Sequence, residues 1–365
     1  MKRRICSLLL MLALLCPLFG KAGAEENPAY EIMGKLGIGW NLGNSFDAPD
    51  GELAWGNPRA KAELFPAVKE LGFDTIRIPV SWGHHVSPAP EYSIDEAYMA
   101  RVDEVVHQAL DAGLYVIIDA HHDNDLYTPT PENAEQGKTY LTAIWSQIAA
   151  HFADVDERLI FQTMNEPRVE GTSYEWGLSP AKKDHREILA VVNDLNQTAL
   201  DAIRAAGGCN ENRYVVVCPY AGKLTSAANA EFRMPQDSAE NRLILSAHIY
   251  TPYNLCLNLD PALNTLGPRD LAIVKYELST LDKWFVQKGI PVVIDEMGCT
   301  DKDNEDARYE WAKGFKELAD SFGLPCVVWD NGYLHGDGDN FGLIDRVNLN
   351  IFPESACIYN GLMGK

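Results

Sequence analysis

Short apolar runs recur along the chain, and a longer stretch with helical spacing follows each of them. The runs contain few polar residues, which is typical of parallel strands that are buried on both faces. Eight strands that alternate with helices predict a closed (β/α)8 (TIM) barrel rather than an open sheet. The runs lie at 38–43, 75–80, 115–120, 159–164, 214–219, 243–250, 291–297 and 325–330.

The stretches between these runs place apolar residues three and four positions apart, as on one face of a helix. Between 94 and 113, Val102, Val105 and Val106 follow this spacing, and Gly113 is typical of a helix end. No Gly-x-Gly-x-x-Gly follows the first strand, so a nucleotide-binding open sheet is not supported. Similar spacing predicts helices at 60–71, 140–152, 182–206, 271–288, 307–322 and 353–362.

The first residues have the layout of a secretory signal peptide. Lys2, Arg3 and Arg4 precede an apolar run, and the small residues at 22–24 follow it. Such a segment is too short and wrongly flanked for a membrane span. We therefore expect residues 1–24 to be removed, the chain to be secreted or periplasmic, and one domain to occupy 25–365.

Charge and cysteine content narrow the choice of partners. The 365 residues include 52 acidic and 31 basic side chains, a formal net charge of −21. Nucleic acid and anionic lipid would be repelled, so we expect neither, and no membrane span in the mature chain. No Cys/His spacing suggests zinc. Export would permit disulfides, and Cys256 with Cys299 is the favoured pair because both follow strands at one barrel face.

Polar side chains close nearly every apolar run. In a (β/α)8 barrel the carboxyl ends of all strands meet at one face, where active sites lie. Such repetition exceeds what folding alone requires, so the sequence predicts an active site at this face. The residues concerned are Asn41, Asn44, Arg77, His121, His122, Asp123, Asn165, Glu166, Tyr220, His248, Tyr250, Asp295, Glu296, Trp329, Asp330 and Asn331.

Glu166 and Glu296 close the fourth and seventh strands, which lie across the barrel mouth from each other. Two facing carboxyl groups are the equipment of glycoside hydrolysis, where one protonates the leaving oxygen and the other attacks carbon or activates water. A single glutamate at a strand end is more often solvated or ion-paired, but two in this setting favour catalysis. Arg77 lies in an apolar strand and needs a carboxylate partner, so we expect it to keep Glu296 ionised.

The other residues at this face suit the same chemistry. Tyr250 is expected to donate a hydrogen bond to Glu296, and Asn165 to bond a sugar hydroxyl. His121 and His248 are expected to orient carboxylates or substrate. Aromatic residues that can stack on a sugar ring, or else belong to the core, are Trp329, Trp40, Trp55, Trp82, Trp176 and Tyr253.

The motifs that contain these residues resemble glycoside hydrolase family 5, the cellulase family. They cover nearly all of the chain after residue 24. WGNP at 55–58 and FGLIDR at 341–346 resemble subfamily 4 in particular. The family motifs read GWNLGN at 39–44, TIRIPV at 75–80, DAHHD at 119–123, TMNEP at 163–167, AHIYTPY at 247–253, IDEMG at 294–298 and VWDNG at 328–332.

This resemblance implies a catalytic (β/α)8 barrel with a retaining, two-step mechanism. Glu166 matches the general acid/base and Glu296 the nucleophile, so Glu296 should be ionised and the pKa of Glu166 raised. One departure is the residue before Glu296, Asp295, where glycine is commoner, and strand alternation predicts that it points away from Glu296. The other predicted supporting or substrate-binding residues are Arg77, His121, His122, Asn165, His248, Tyr250, Trp329, Asn41, Trp55 and Tyr253.

The resemblance favours internal β-1,4 cleavage of cellulose-type β-glucan, with xyloglucan, lichenan or mannan as alternatives within the family. We expect a neutral glucan as the partner, no cofactor, no metal and a monomer. Two other classes of protein remain as alternatives. A catalytically inactive glycan-binding protein typically lacks one of the two carboxylates, and both are present. A metal-dependent barrel hydrolase would have to draw on His121, His122, Asp123 and His248.

Overall fold

The computed structural model describes residues 28–336 and 338–365, so the expected signal peptide at 1–24 lies outside the described residues. Eight parallel strands form a closed barrel in chain order. Each lies within one of the apolar runs, and the predicted (β/α)8 barrel is confirmed. The strands are β1 (Ile38–Asn41), β2 (Thr75–Ile78), β3 (Tyr115–Asp119), β4 (Leu159–Gln162), β5 (Val215–Val217), β6 (Leu243–Ile249), β7 (Val292–Met297) and β8 (Cys326–Val328).

Helices surround the barrel, and the predicted ones are present with shifted ends. The second helix begins at Leu64 rather than at residue 60, with Pro66 in its first turn, where a backbone N–H needs no helical partner. None of the described helices is long and apolar enough to cross a bilayer. The helices are α1 (Pro28–Leu36), α2 (Leu64–Glu70), α3 (Glu96–Asp111), α4 (Ala134–His151), α5 (Lys183–Ala205), α6 (Leu224–Ala227), α7 (Tyr253–Cys256), α8 (Asp270–Trp284), α9 (Glu305–Phe322) and α10 (Ala356–Met363).

Two apolar layers hold the barrel together. The outer layer lies between the strands and the helices. The inner layer fills the barrel, and Ile32 and Leu36 of α1 pack against it from the end where the strands begin. There Thr75 Oγ1, in the first residue of β2, donates to the Leu36 carbonyl oxygen at 2.7 Å. Helix α1 therefore closes the floor of the barrel, opposite the face that holds the strand ends.

Strand β7 contains a β-bulge. Val293 pairs with Ser246 of β6 and Glu296 pairs with His248, so β7 advances three residues while β6 advances two. The pairing with β8 shows the same extra residue. A bulge interrupts the alternation of side chains, and both Asp295 and Glu296 point into the barrel. The expectation that Asp295 points away from the Glu296 side is therefore wrong.

The six cysteines of the described residues are free thiols, so the expected disulfide is not formed. Cys256 and Cys299 are both buried, and their side chains contact each other through a hydrogen bond. The two cysteines that were paired from the sequence are therefore neighbours, but no covalent bond joins them. A short antiparallel hairpin, β9 (Ile344–Asp345) and β10 (Asn350–Ile351), lies between β8 and α10 and was not predicted.

Candidate active site

The carboxylates of Glu166 and Glu296 face the same space at the barrel mouth. Glu166 follows β4 and Glu296 belongs to β7, and one oxygen of each lies within 4.8 Å of the other and of a ring nitrogen of His248. Arg77 Nη1 donates to Glu296 Oε1 at 2.8 Å, and Tyr250 Oη donates to Oε2 at 3.0 Å. Both oxygens of Glu296 thus accept hydrogen bonds, one from the guanidinium of Arg77 and one from the hydroxyl of Tyr250.

Arg77 is fully buried and uses all three of its nitrogens. Burial disfavours the charge, but the nearby carboxylates outweigh it and raise the pKa of Arg77. The guanidinium therefore links β2, which carries Arg77, to four other strands of the barrel, β1, β3, β4 and β7. It donates to Glu296 Oε1, to Gln162 Oε1 at 2.8 Å, Asn41 Oδ1 at 3.0 Å, Asp119 Oδ2 at 2.6 Å and Asn165 Oδ1 at 2.7 Å.

Replacing Arg77 by methionine is expected to lower the free energy of unfolding by about 3–5 kcal/mol, because Asp119 and Glu296 would stay buried without their cation. Urea denaturation of the purified variant measures this change. The control is Arg59→Met, whose side chain is 57% exposed and lies 3.6 Å from its nearest carboxylate, that of Glu104, and this change should cost at most about 1 kcal/mol. Equal stability of the two variants would contradict the role of Arg77.

His121 joins the same network. Its Nδ1 lies 2.8 Å from Asp119 Oδ2 and its Nε2 lies 3.3 Å from Asn165 Nδ2. Its ring is parallel to that of Trp329, with the ring centres 6.0 Å apart. Burial lowers the pKa of His121, but the charge of Asp119 outweighs it and the net effect is a raised pKa. Asp119 therefore fixes both Arg77 and His121.

His248 lies between the two catalytic candidates. Its Nδ1 is 2.7 Å from Glu166 Oε1 and 3.5 Å from Glu296 Oε2. Burial works against a charge here, but Glu296, Asp295 and Glu166 outweigh it and raise the pKa of His248 to about 10. Burial alone would raise the pKa of Glu166, but His248, with Arg168, holds it well below its usual range. The expectation of a raised pKa for Glu166 is therefore wrong for the free protein.

The aromatic candidates divide into core and surface. Trp40 and Trp82 are fully buried and belong to the core. Their indole nitrogens donate to Asp330 Oδ2 at 2.7 Å and to the Asp119 carbonyl oxygen at 2.9 Å. The rings that remain open to a ligand are those of Trp329, which is half-buried, Trp55, 37% exposed, Trp176, 52% exposed, and Tyr253, 63% exposed.

The acids near the histidines that suggested a metal-dependent hydrolase have protein partners. Asp123 accepts hydrogen bonds from Tyr140 Oη at 2.7 Å and from two backbone amides. Asp47, which lies near His121 and His122, accepts from two backbone amides as well. Burial and then the charge of His121 lower the pKa of His122 to about 3, so its ring is neutral. These contacts explain the positions of the acids without an ion.

Comparison with known proteins agrees with this geometry. A family model described as Cellulase (glycosyl hydrolase family 5) matches residues 41–335. The chain belongs to glycosyl hydrolase family 5. This family 5 hydrolase is 39% identical over 338 residues to Endoglucanase A of Ruminococcus albus, and the matched region covers 90% of each chain.

Solved structures resemble the family 5 hydrolase along most of its length. One is a GH5-4 broad specificity endoglucanase from Ruminococcus champanellensis with bound cellotriose, with a TM-score of 0.87 and 36% identity. The matched region covers 92% of this chain and 98% of the chain in that structure. A GH5 family lichenase from Caldicellulosiruptor sp. F32 has a TM-score of 0.88 and 36% identity, with coverage of 93% and 95%. The resemblance to subfamily 4 is confirmed.

Several residues of the family 5 hydrolase that shape its site were not identified from the sequence. Asp119 and Gln162 are the last residues of β3 and β4, and both accept hydrogen bonds from Arg77. Each is a polar residue in an otherwise apolar strand, and that pattern could have identified them from the sequence. Arg168 lies two residues after Glu166, and its Nη1 is 3.5 Å from Glu166 Oε2. Asn41 was predicted from the sequence as a supporting residue. Its Oδ1 accepts a hydrogen bond from Arg77, and its Nδ2 donates to the carbonyl oxygen of Asp295 in β7.

Proposed function

We propose that this family 5 hydrolase is a retaining endo-β-1,4-glucanase that acts by double displacement. The observation that carries the mechanism is the separation of at most 4.8 Å between carboxylate oxygens of Glu166 and Glu296. Retaining glycosidases place their carboxyl groups about 5–5.5 Å apart, whereas inverting ones need about 6.5–9.5 Å to admit a water. The space between these two groups therefore suits direct attack on a sugar carbon.

In the first step Glu296 attacks the anomeric carbon, and the bond to the leaving oxygen breaks as Glu166 delivers a proton to it. Arg77 and Tyr250 hold the Glu296 oxygens, which keeps the nucleophile charged and aimed. In the second step Glu166 removes a proton from water, and the water oxygen displaces Glu296 from the sugar. We propose that Asn165, next to Glu166, bonds a hydroxyl of the reacting ring.

The stereochemistry of the product tests this mechanism. Two displacements restore the original configuration, so hydrolysis of a β-glucan is expected to release the β-anomer first. Proton NMR during the first minutes of the reaction distinguishes the two anomers before mutarotation mixes them. Initial release of the α-anomer would show a single displacement and would overturn the assignment of Glu296 as nucleophile.

We place cellulose-type β-glucan first among the substrates. The relative from Ruminococcus albus is named an endoglucanase, and the lichenase supports mixed-linkage glucan as a near alternative. A net charge of −21 does not repel a neutral polysaccharide. Reducing-end release from carboxymethylcellulose, barley β-glucan, xyloglucan and mannan ranks these substrates, and activity on mannan alone would refute the preference. Trp55, Trp176 and Tyr253 are the proposed stacking platforms along the cleft.

We also propose that residues 1–24 direct export and that residues 25–365 act outside the cytoplasm as a monomeric catalytic domain. The basic start at Lys2–Arg4 and the apolar run after it support the first point. Expression in a secreting host, N-terminal sequencing and light scattering test the three statements. Retention in the cytoplasm with Met1 intact would contradict export.

A further inference from the structure

Asp295 is a fully buried carboxylate that the proposed mechanism leaves without a role. Because of the bulge in β7, Asp295 and Glu296 both face into the barrel. Ser246 Oγ lies 2.7 and 2.8 Å from its two oxygens, Gln162 Nε2 donates at 2.7 Å, and the Ala247 amide donates at 3.1 Å. These donors fix the carboxylate in one orientation and favour its charged form.

The free end of the His248 ring faces this carboxylate. His248 Nε2 is buried and has no hydrogen-bond partner among the described residues, and Asp295 Oδ1 lies 3.6 Å from it. The opposite ring nitrogen, Nδ1, is 2.7 Å from Glu166 Oε1. Gly222 packs against the ring so closely that a Cβ there would lie 2.7 Å from His248 Cγ. Gly222 therefore bounds the ring on one side, and Asp295, His248 and Glu166 lie in series.

We propose that Asp295 is a positioning residue that keeps a proton on His248, so that the free enzyme stores on this imidazole the proton that Glu166 later delivers. The proposal rests on the assignment of Glu166 as the acid/base. Asp295 does not touch the substrate; it acts through His248.

The charges around His248 support a protonated ring. Three carboxylates face it, and two of the nearby cations are paired with these carboxylates, Arg77 with Glu296 and Asp295 and Arg168 with Glu166. Because the carboxylates outweigh burial in setting the pKa of His248, removal of one negative charge is expected to lower that pKa. The facing groups are Glu166 from the end of β4 and Asp295 and Glu296 from β7, with Arg77 beside Asp295 and Glu296, and Arg168 and Lys223 beside Glu166.

Proton transfer through this series leaves no net change over one turnover. Glu166 first takes the proton from His248 Nδ1. As the glycosidic bond breaks, its electron pair stays on the leaving oxygen, which takes this proton from Glu166. The imidazole is then neutral. In the second step Glu166 removes a proton from the attacking water and returns it to His248. No further reactant is needed.

The test is Asp295→Asn, which keeps the size of the side chain and removes its charge. The basic limb of the pH profile of kcat/KM on β-glucan is expected to move to lower pH by about one unit or more. With 2,4-dinitrophenyl β-cellobioside, whose leaving group needs no proton, the rate of the first step should fall much less than with β-glucan. The matched control is Asp237→Asn, which removes a buried carboxylate that pairs with Arg204 at 2.7 Å, and it should leave the profile unchanged.

Histidine ¹⁵N NMR of the wild-type enzyme provides a measurement that does not depend on the variant. The His248 ring is expected to be doubly protonated at pH 7, and a neutral ring would overturn the proposal even if Asp295→Asn fails to fold. An unchanged basic limb in a folded Asp295→Asn enzyme would also overturn it. Those results would leave the proposed function intact, whereas full activity of a Glu166 or Glu296 variant would remove the function itself.

Discussion

Replacing Glu296 by glutamine is expected to lower kcat/KM on β-glucan by about 10⁴-fold or more. The amide keeps the shape of the side chain but cannot attack the anomeric carbon, and no other carboxylate contacts both Arg77 and Tyr250 among the described residues. Release of reducing ends by the purified variant, followed over hours, measures the loss.

Glu104→Gln is the matched control for this substitution. Its side chain is 50% exposed on α3 and pairs with Arg101, outside the barrel mouth, so activity should equal that of the wild type. A 2-deoxy-2-fluoro cellobioside with an activated leaving group should add one fluorocellobiosyl group, a disaccharide, to the wild-type mass and none to Glu296→Gln. Labelling of a different peptide would reassign the nucleophile.

Replacing Glu166 by alanine should give an effect that depends on the leaving group. On β-glucan, whose leaving oxygen needs a proton, kcat/KM is expected to fall by about 10²–10⁴-fold. With 2,4-dinitrophenyl β-cellobioside the first step needs no acid, while the second still lacks its base. A burst of dinitrophenol followed by a slow steady state is therefore expected in stopped-flow absorbance.

Azide provides the complementary observation for Glu166→Ala. A small anion needs no general base, so it should enter the space left by the side chain, accelerate the second step and yield a β-glycosyl azide. Glu104→Ala should show neither burst nor rescue. Equal losses on both substrates, without rescue, would indicate damage to the fold rather than removal of the acid/base.

The strands were predictable from the sequence because parallel strands that are buried on both faces are continuous apolar runs. Helix α1 was not predicted, since it is only nine residues long and precedes the first strand, outside the strand-then-helix alternation. Its Ile32 and Leu36 complete the inner core. The bulge in β7 could not be predicted either. It depends on how β7 pairs with β6 and β8, and pairing register leaves no mark in one strand alone.

The site was predictable where it depends on strand ends, and less so where it depends on distances. Glu166, Glu296, Arg77 and His248 follow from the rule that all strand ends share one face, and the structure brings them together. The location of the proton does not follow from that rule. It depends on His248 lying within 4 Å of the carboxylates of Glu166, Asp295 and Glu296. The bulge in β7 is what allows Asp295 and Glu296, which are adjacent in the chain, to face this ring together.

Helix α1 has a practical consequence because it seals the floor of the barrel. Sequence fused directly before Pro28 leaves the molecule on the side remote from the catalytic opening. An enzyme immobilised on a bead or carrier by that end would therefore present its cleft outward to bulk polysaccharide.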